Sequence, residues 1–128
     1  MQEIFSSFKQ SLERFAEILQ EPETVANRDA SIQRFEFTIE LAWKTVQKFL
    51  REQKIICRSP KECLKEAFKF GLIEDDEVWL KMIEDRNLTV HTYDEMAARE
   101  VYYRLPNYLE PLRKLRDVLQ SEIKHEAF

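Results

Sequence analysis

The segment RFEFTIELAWKTVQKFL, residues 34–50, decides the fold class because its apolar side chains follow a helical repeat. The residues of the repeat are Ile32, Phe35, Ile39, Ala42, Val46 and Phe49. Alternating steps of three and four place these side chains on one face of an α-helix. The pattern predicts a long helix from about Asp29 to Gln53, and further apolar residues widen its apolar surface beyond one stripe.

Helical patterns continue on both sides of this segment. A first helix is predicted from about Gln2 to Gln20. The stretch EPETVANRD, residues 21–29, is predicted to be a loop because it contains a proline and an asparagine. Further along, a fourth helix is predicted to begin near Asp75 or Asp76 and a last one near Tyr93.

The stretch RSPKECLKEAFKFG, residues 58–71, has the start and stop signals of a short helix. Ser59 is suited to be its N-cap and Pro60 its first helical residue, and Glu62 completes a capping box. Gly71, the single glycine of the chain, stands where a helix commonly ends. The sequence therefore predicts a compact third helix.

Two prolines interrupt the repeat of the last helix. Pro106 and Pro111 would each cost about 3 kcal/mol in a helix interior, yet the apolar register stays in phase across both. One kinked helix and two closely aligned helices both fit this pattern. The helices together predict an all-α fold, an antiparallel up-and-down bundle of four or five helices, with residues 1–128 as one domain. Core burial and a homodimer explain the wide apolar surface of the second helix equally well.

The composition fits a helical domain that has no cofactor. One glycine and four prolines in 128 residues are too few for the turns of a β-rich fold. No apolar run reaches the ~20 residues of a membrane span, and the N-terminus lacks the apolar run of a signal peptide, so we expect a cytoplasmic protein. No phosphate-binding loop or metal-binding motif is present, so no cofactor or metal is expected. Cys57 and Cys63 have no neighbouring histidine and are expected to be free thiols.

Basic residues are concentrated between Lys44 and Lys69, although the whole chain has a net charge of −4. Eight basic and three acidic side chains give this segment +5 and leave −9 for the rest. A charge run of this kind is usually a solvated helix face. The other reading is a docking surface for RNA or an acidic partner, with Lys44, Lys48 and Arg51 as its candidate residues.

The helical pattern weakens in EDRNLTVHTYDE, residues 84–95. In a continuous helix Arg86 and His91 would point about 140° apart, so they could not converge on one small ligand. Asparagine, threonine and valine are mediocre helix formers, and Thr92 with Glu95 forms a capping box that would start a new helix. We therefore expect the helix to break between about Leu88 and Thr92.

Such a break would let an arginine and a histidine face the same gap. Arg86 would close one helix, and His91 would lie just ahead of the next, whose first N–H groups can bind an anion. RNA cleavage needs a base for the 2′-hydroxyl and a cation for the charge that develops at phosphorus, and it needs no metal. A purely structural reading also fits, in which Arg86 is a helix C-terminal charge, His91 a solvated residue near a cap and Tyr93 a partly buried ring.

RNLTVHTY, residues 86–93, resembles the signature of HEPN domains: Arg, often followed by Asn, then a short spacer, His, any residue and Tyr. RFEFTIELAWKTVQKFL resembles the second helix of one HEPN branch, the nucleotidyltransferase substrate-binding protein family. The similarity extends over nearly the whole chain in length, helix order and motif position. It implies an all-α up-and-down bundle that forms a homodimer, in which the motifs of the two subunits face each other.

The resemblance also implies roles for the motif residues. Arg86 would stabilise phosphate charge, and His91 would be the acid or base. Asn87 would orient the site, and Tyr93 would be the candidate for adenylylation. Members of the branch are typically paired with a separate minimal nucleotidyltransferase, and related HEPN proteins are metal-independent ribonucleases that act as toxins. The expected function is a toxin–antitoxin component with endoribonuclease activity; the alternative is a non-catalytic substrate-binding subunit of a nucleotidyltransferase.

Overall fold

The computed structural model describes the backbone of residues 1–74 and 76–126 and the side chains of residues 1–74 and 77–123. All regular structure in these residues is helical, which confirms the all-α prediction. None of these helices combines the length and the apolar character that a membrane span requires. Asp75, one of the two predicted starts of the fourth helix, lies outside the described residues. The elements are α1 Gln2–Ile18, α2 Val25–Glu52, α3 Pro60–Phe70, α4 Asp76–Leu88, a 3₁₀ turn Thr89–His91, α5 Glu95–Arg104, a second 3₁₀ turn Leu105–Tyr108, and α6 Leu109–Glu126.

Helix α2 is the centre of the fold and packs antiparallel to α1. The hydroxyls of Ser11 and Thr38 share a hydrogen bond of 2.8 Å. The rings of Phe15 and Phe35 lie 6.0 Å apart, so positions advance along α1 as they go back along α2. Every residue of the predicted α2 repeat is buried. Truncating one of its phenylalanines to alanine would cost about 3–5 kcal/mol, so this seam holds the bundle together.

Helix α2 begins earlier than the sequence predicted, at Val25. Thr24 is its N-cap, and the Thr24 hydroxyl accepts a hydrogen bond of 3.0 Å from the Asn27 N–H. The Asn27 side chain donates back to the Pro22 carbonyl at 2.8 Å. The prediction of a loop up to residue 29 was therefore wrong, because the asparagine and the proline help to build the helix start.

Helix α3 has the ends that the sequence predicted. The Ser59 hydroxyl accepts from the Glu62 N–H at 3.2 Å, and Pro60 is the first helical residue. The Glu62 carboxylate accepts from the backbone N–H of Arg58, one residue before the cap. Gly71 ends the helix at φ 98°, a left-handed conformation that suits glycine.

The prediction of two free thiols was wrong, because Cys57 and Cys63 form a disulfide. Their Cα atoms lie 5.1 Å apart, within the usual range for a bridge. Cys57 precedes the cap of α3 and Cys63 lies in its first turns, so the helix start brings the two sulfurs together. The Gln47 side chain donates to the Cys57 carbonyl at 2.9 Å and ties this loop to α2. The absence of a neighbouring histidine argues against a metal site but not against a disulfide, which this local geometry allows.

Of the two prolines near the C-terminal end, Pro106 separates two helices and Pro111 lies at the start of the second. Pro106 lies in the 3₁₀ turn between α5 and α6. Pro111 lies in the first turn of α6, where backbone N–H groups have no partner within the helix. Neither proline therefore removes a hydrogen bond from a helix interior, and the apolar register continues through Leu105 and Leu112, which are buried.

Candidate functional site

The stretch between α4 and α5 breaks where the sequence predicted, but a different residue caps the following helix. The Thr89 hydroxyl donates to the Arg86 carbonyl at 2.6 Å, and the Thr92 hydroxyl donates to the Thr89 carbonyl at 2.9 Å. Helix α5 begins at Glu95, with Asp94 as its N-cap accepting from the Met96 N–H at 3.0 Å. The predicted capping box was wrong because the Thr92 hydroxyl forms its hydrogen bond within the 3₁₀ turn. One N–H expected to bind an anion is therefore already occupied.

Arg86 faces α2 and forms an ion pair with Glu40 between its Nε and the Glu40 Oε1. Both side chains are about 30% exposed, so the pair lies at the edge of solvent. The other carboxylate oxygen of Glu40 lies 3.7 Å from the Lys44 Nζ. A cleft of about 370 Å³ opens beside this pair. Its lining residues are Glu36, Glu40, Arg86, Asn87, Thr89 and Val90.

His91 and Tyr93 form the second part of the site and point into solvent. Their rings meet edge to face with centroids 6.0 Å apart, and Tyr93 is 85% exposed. Among the described residues, no hydrogen bond or ion pair joins Arg86 to His91. One chain therefore brings Arg86 and Asn87 together at the cleft and His91 and Tyr93 together outside it, as two half-sites. No three histidine, cysteine, aspartate or glutamate side chains in the described part of the chain are grouped as ligands for a metal.

A buried polar cluster fixes the helices on both sides of the turn, and the sequence analysis missed it. Asp85 of α4 is fully buried and accepts from Arg104 of α5 at 2.6 to 3.1 Å and from the Tyr108 hydroxyl. Burial and the Asp85 carboxylate raise the pKa of Tyr108 well above its ordinary value. The hydrogen bond to Asp85 likewise raises the pKa of Arg104. The signal was the place of Asp85 on the apolar face of α4, three residues after Met82, where a carboxylate needs a buried partner.

A second polar cluster holds the start of α5 against the α1–α2 loop. Arg28 is 4% exposed and donates to Glu23 at 3.2 Å and to Glu95 at 3.0 Å. The Tyr103 hydroxyl donates to the Glu23 carboxylate at 2.9 Å, and this bond raises the pKa of Tyr103. Helix α5 is therefore tied down at both ends, so the turn before it has a defined position.

The basic residues singled out on α2 follow one another along the exposed surface that starts at the cleft. Lys44, Lys48 and Arg51 are all exposed and are spaced by four and three residues. They lie on one helix face, which leads away from the ion pair of Glu40 and Arg86. This placement is compatible with either a solvated face or a docking surface.

Exposed apolar side chains surround the turn. They are Leu88, Val90 and Met96, each between 38% and 71% exposed. Scattered exposed apolar residues are ordinary on a protein surface, but several around one turn indicate a contact area.

Two relatives are 37% and 38% identical to this chain over the aligned residues. A Haemophilus influenzae protein named Probable ribonuclease HepT is 37% identical over 84 residues, which are 62% of this chain and 58% of that protein. The match therefore spans less than two thirds of that relative. A crystal structure of a Thermus thermophilus protein is 38% identical with a TM-score of 0.80, covering 84% of this chain and 94% of that chain.

A more distant structure has the same fold, and a family profile covers most of the chain. A tri-AMPylated Shewanella oneidensis HEPN toxin, solved in complex with MNT antitoxin, has a TM-score of 0.76 at 19% identity. That comparison covers 93% of this chain and 95% of the toxin chain. Residues 3–121 match the family described as nucleotidyltransferase substrate binding protein like. The chain therefore belongs to the nucleotidyltransferase substrate binding protein-like family.

Proposed function

We propose that this protein is a metal-independent endoribonuclease of the HEPN type and the toxin of a toxin–antitoxin pair. The observation that carries this is the junction of α4 and α5, where a half-exposed Arg86 and the exposed Asn87, His91 and Tyr93 lie between helices that buried polar clusters hold in place. A rigid frame around exposed polar side chains is what a catalytic turn requires. The family membership and the ribonuclease name of the Haemophilus relative agree with it.

The chemistry assigns one role to each residue. His91 accepts the proton of a ribose 2′-hydroxyl, whose oxygen attacks the adjacent phosphorus. The P–O5′ bond breaks, the 5′-oxygen is protonated, and a 2′,3′-cyclic phosphate remains on the other product. Arg86 stabilises the negative charge on the phosphoryl oxygens during the attack. Asn87 at the mouth of the cleft orients the phosphate.

The active form that we propose is a homodimer in which Arg86 of one copy meets His91 of the other. One chain presents its arginine and its histidine as separate half-sites, so a second copy would complete each site. In a two-fold dimer the same surface meets itself, which would bring two copies of the turn together. The exposed Val90, Leu88 and Met96 around the turn supply apolar surface for such a contact.

The partner that we propose is a minimal nucleotidyltransferase in a separate chain, acting as the antitoxin. The distant Shewanella toxin is described in complex with an MNT antitoxin and as AMPylated. Tyr93 is the candidate for the same modification here, since its ring is 85% exposed. Its phenolic oxygen would attack the α-phosphorus of ATP, pyrophosphate would leave, and AMP beside His91 would block the site.

The stripe of Lys44, Lys48 and Arg51 would bind either the RNA backbone or this partner. Phosphates and an acidic protein surface are both attracted by exposed cations, and the stripe starts at the cleft. We also propose that residues 1–128 act as one domain and work in the cytoplasm. The disulfide is the feature at odds with that compartment, where thiols are normally kept reduced.

A second function has observations in its favour: a non-catalytic subunit that presents substrate to the nucleotidyltransferase. Glu40 partly neutralises Arg86, and Asp94 occupies an N–H at the start of α5. Both features reduce the ability of a single chain to bind a phosphate. Co-expression with a small nucleotidyltransferase encoded in the neighbouring reading frame tests this function, and the absence of a co-purifying partner would exclude it.

Cleavage of RNA by the purified protein tests the first function. Wild-type protein and His91→Ala are compared on structured and unstructured RNA in the presence of a chelator, after the mass confirms that Tyr93 is unmodified. We expect cleavage by the wild type and a loss of about 100-fold or more in the variant. Equal activity in both proteins, or none in either, would count against a ribonuclease. Variants of Arg86 and His91 that only lose stability would support a purely structural turn.

A further inference from the structure

One carboxylate in the cleft contacts Arg86 and has no role in the proposed chemistry. Glu40 lies in the middle of α2, and its Oε1 meets the Nε of Arg86. Arginine has five N–H donors, of which only one is on Nε. A carboxylate at Nε leaves the four donors of the two Nη atoms for another ligand. In the described part of the chain, Glu40 is the ion-pair partner of Arg86.

We infer that Glu40 is a positioning residue, which holds the Arg86 guanidinium by its Nε so that the Nη edge faces the cleft. This inference rests on the proposed ribonuclease function. A free arginine side chain has many rotamers, and only a few of them would place the Nη atoms against a phosphate. A fixed guanidinium has lost this freedom before the RNA arrives.

The charge of Glu40 opposes phosphate binding, and the surroundings reduce that effect. Lys44 lies 3.7 Å from the second carboxylate oxygen of Glu40, so one acidic side chain contacts two basic ones. Glu36 also lines the cleft, so the two carboxylates of Glu36 and Glu40 are balanced by the two cations of Arg86 and Lys44. The cations therefore partly offset the repulsion between Glu40 and a phosphate, while the orientation of Arg86 is retained.

If the ion pair has only a structural role, a different effect of breaking it is expected. Exposed pairs contribute little to stability, and Glu40 and Arg86 are each about 30% exposed. Breaking a structural pair would therefore leave the kinetics of cleavage unchanged and would change the stability little. A positioning pair would lower the rate of the chemical step and would act only through Arg86.

The test compares Glu40→Ala and Glu40→Gln in steady-state RNA cleavage. We expect Glu40→Ala to lower kcat about tenfold with little change in KM, because orientation matters most in the transition state. Glu40→Gln keeps the size of the side chain but removes the charge of the ion pair, so it should be slowed about as much as Glu40→Ala. The matched control is Glu84→Ala, which removes a carboxylate of α4 that pairs with Lys81 at 3.5 Å. This control should cleave like the wild type.

A double-mutant cycle separates positioning from other roles. In an Arg86→Ala background, adding Glu40→Ala should cause no further loss. An additive loss, an unchanged kcat in Glu40→Ala, or a Glu40→Gln variant as fast as the wild type would each overturn the inference.

An NMR measurement keeps the inference testable without catalysis. The Arg86 Nε–H signal is assigned by its absence in Arg86→Ala, and its exchange with water is measured in wild type and Glu40→Ala. Slower exchange in the wild type supports the positioning, and equal exchange overturns it. A wild-type protein that cleaves no RNA contradicts the proposed function, whereas this exchange still decides whether Glu40 fixes Arg86.

Discussion

Asp85 and Arg86 are neighbours on α4 but belong to two different kinds of structure. Asp85 is fully buried and is bound by Arg104 and Tyr108, whereas Arg86 meets Glu40 at the edge of solvent. A one-residue step turns a helix by about 100°, so neighbours can face the core and a cleft. Buried ionic contacts therefore fix α4 and α5, whereas the turn between them presents exposed side chains. In the proposed ribonuclease, support and chemistry are separate in this way.

The largest effect is expected from removing the buried carboxylate. Asp85→Ala leaves Arg104 and the Tyr108 hydroxyl without their shared acceptor, and breaking a buried pair typically costs about 3–5 kcal/mol. The Arg104 side chain is 30% exposed and keeps contact with water. We therefore expect the variant to lose about 2–3 kcal/mol of unfolding free energy, measured by urea denaturation. A loss below about 0.5 kcal/mol would show that the cluster does not support the turn.

A somewhat smaller effect is expected from the disulfide, which lies away from the turn. It closes a short loop with a sequence separation of 6, for which chain entropy gives about 2 kcal/mol. The double variant Cys57→Ala/Cys63→Ala should lose about that much stability in urea and keep the cleavage rate of the wild type. A large loss of cleavage in a folded variant would mean that the separation between support and chemistry is incomplete.

The pH dependence of stability should identify the buried cluster. The folded protein holds the Tyr108 proton above the ordinary pKa of 10.0, so its contribution is complete below that pH and is lost as pH rises through the folded pKa. Unfolding free energy should therefore fall above about pH 10, by at most about 1.4 kcal/mol per pH unit for this one proton. In Tyr108→Phe the unfolding free energy should fall less steeply with pH, by that amount. Parallel curves for the two proteins would contradict the cluster as described.

The smallest effect on stability is expected at the exposed turn. His91→Ala should change the unfolding free energy by less than about 0.5 kcal/mol, because the side chain is exposed and packs against the exposed Tyr93 ring. Urea unfolding of the variant beside Asp85→Ala measures the contrast directly. A loss of unfolding free energy as large as that of Asp85→Ala would show that His91 supports the fold.

The sequence predicts several features that depend on neighbouring residues, but not the Cys57–Cys63 disulfide or the start of α2. The α2 repeat, the caps of α3 and the break after Leu88 are local signals, and the structure has all three. Features that depend on distant residues were missed, such as the contact of Asp85 with Arg104. The cap of α5 shows a third case, because Thr92 and Asp94 compete locally and the 3₁₀ turn decides between them.

Activity of mixed dimers tests most directly whether the turn is a catalytic site that two copies share. Equal amounts of Arg86→Ala and His91→Ala are allowed to exchange subunits, and native mass spectrometry confirms the mixed dimer. If Arg86 of one copy works with His91 of the other, half of the dimers are mixed and each has one intact site. Cleavage should then recover to about a quarter of the wild-type rate. Activity no greater than the mean of the two single variants, with mixed dimers present, would contradict the shared site.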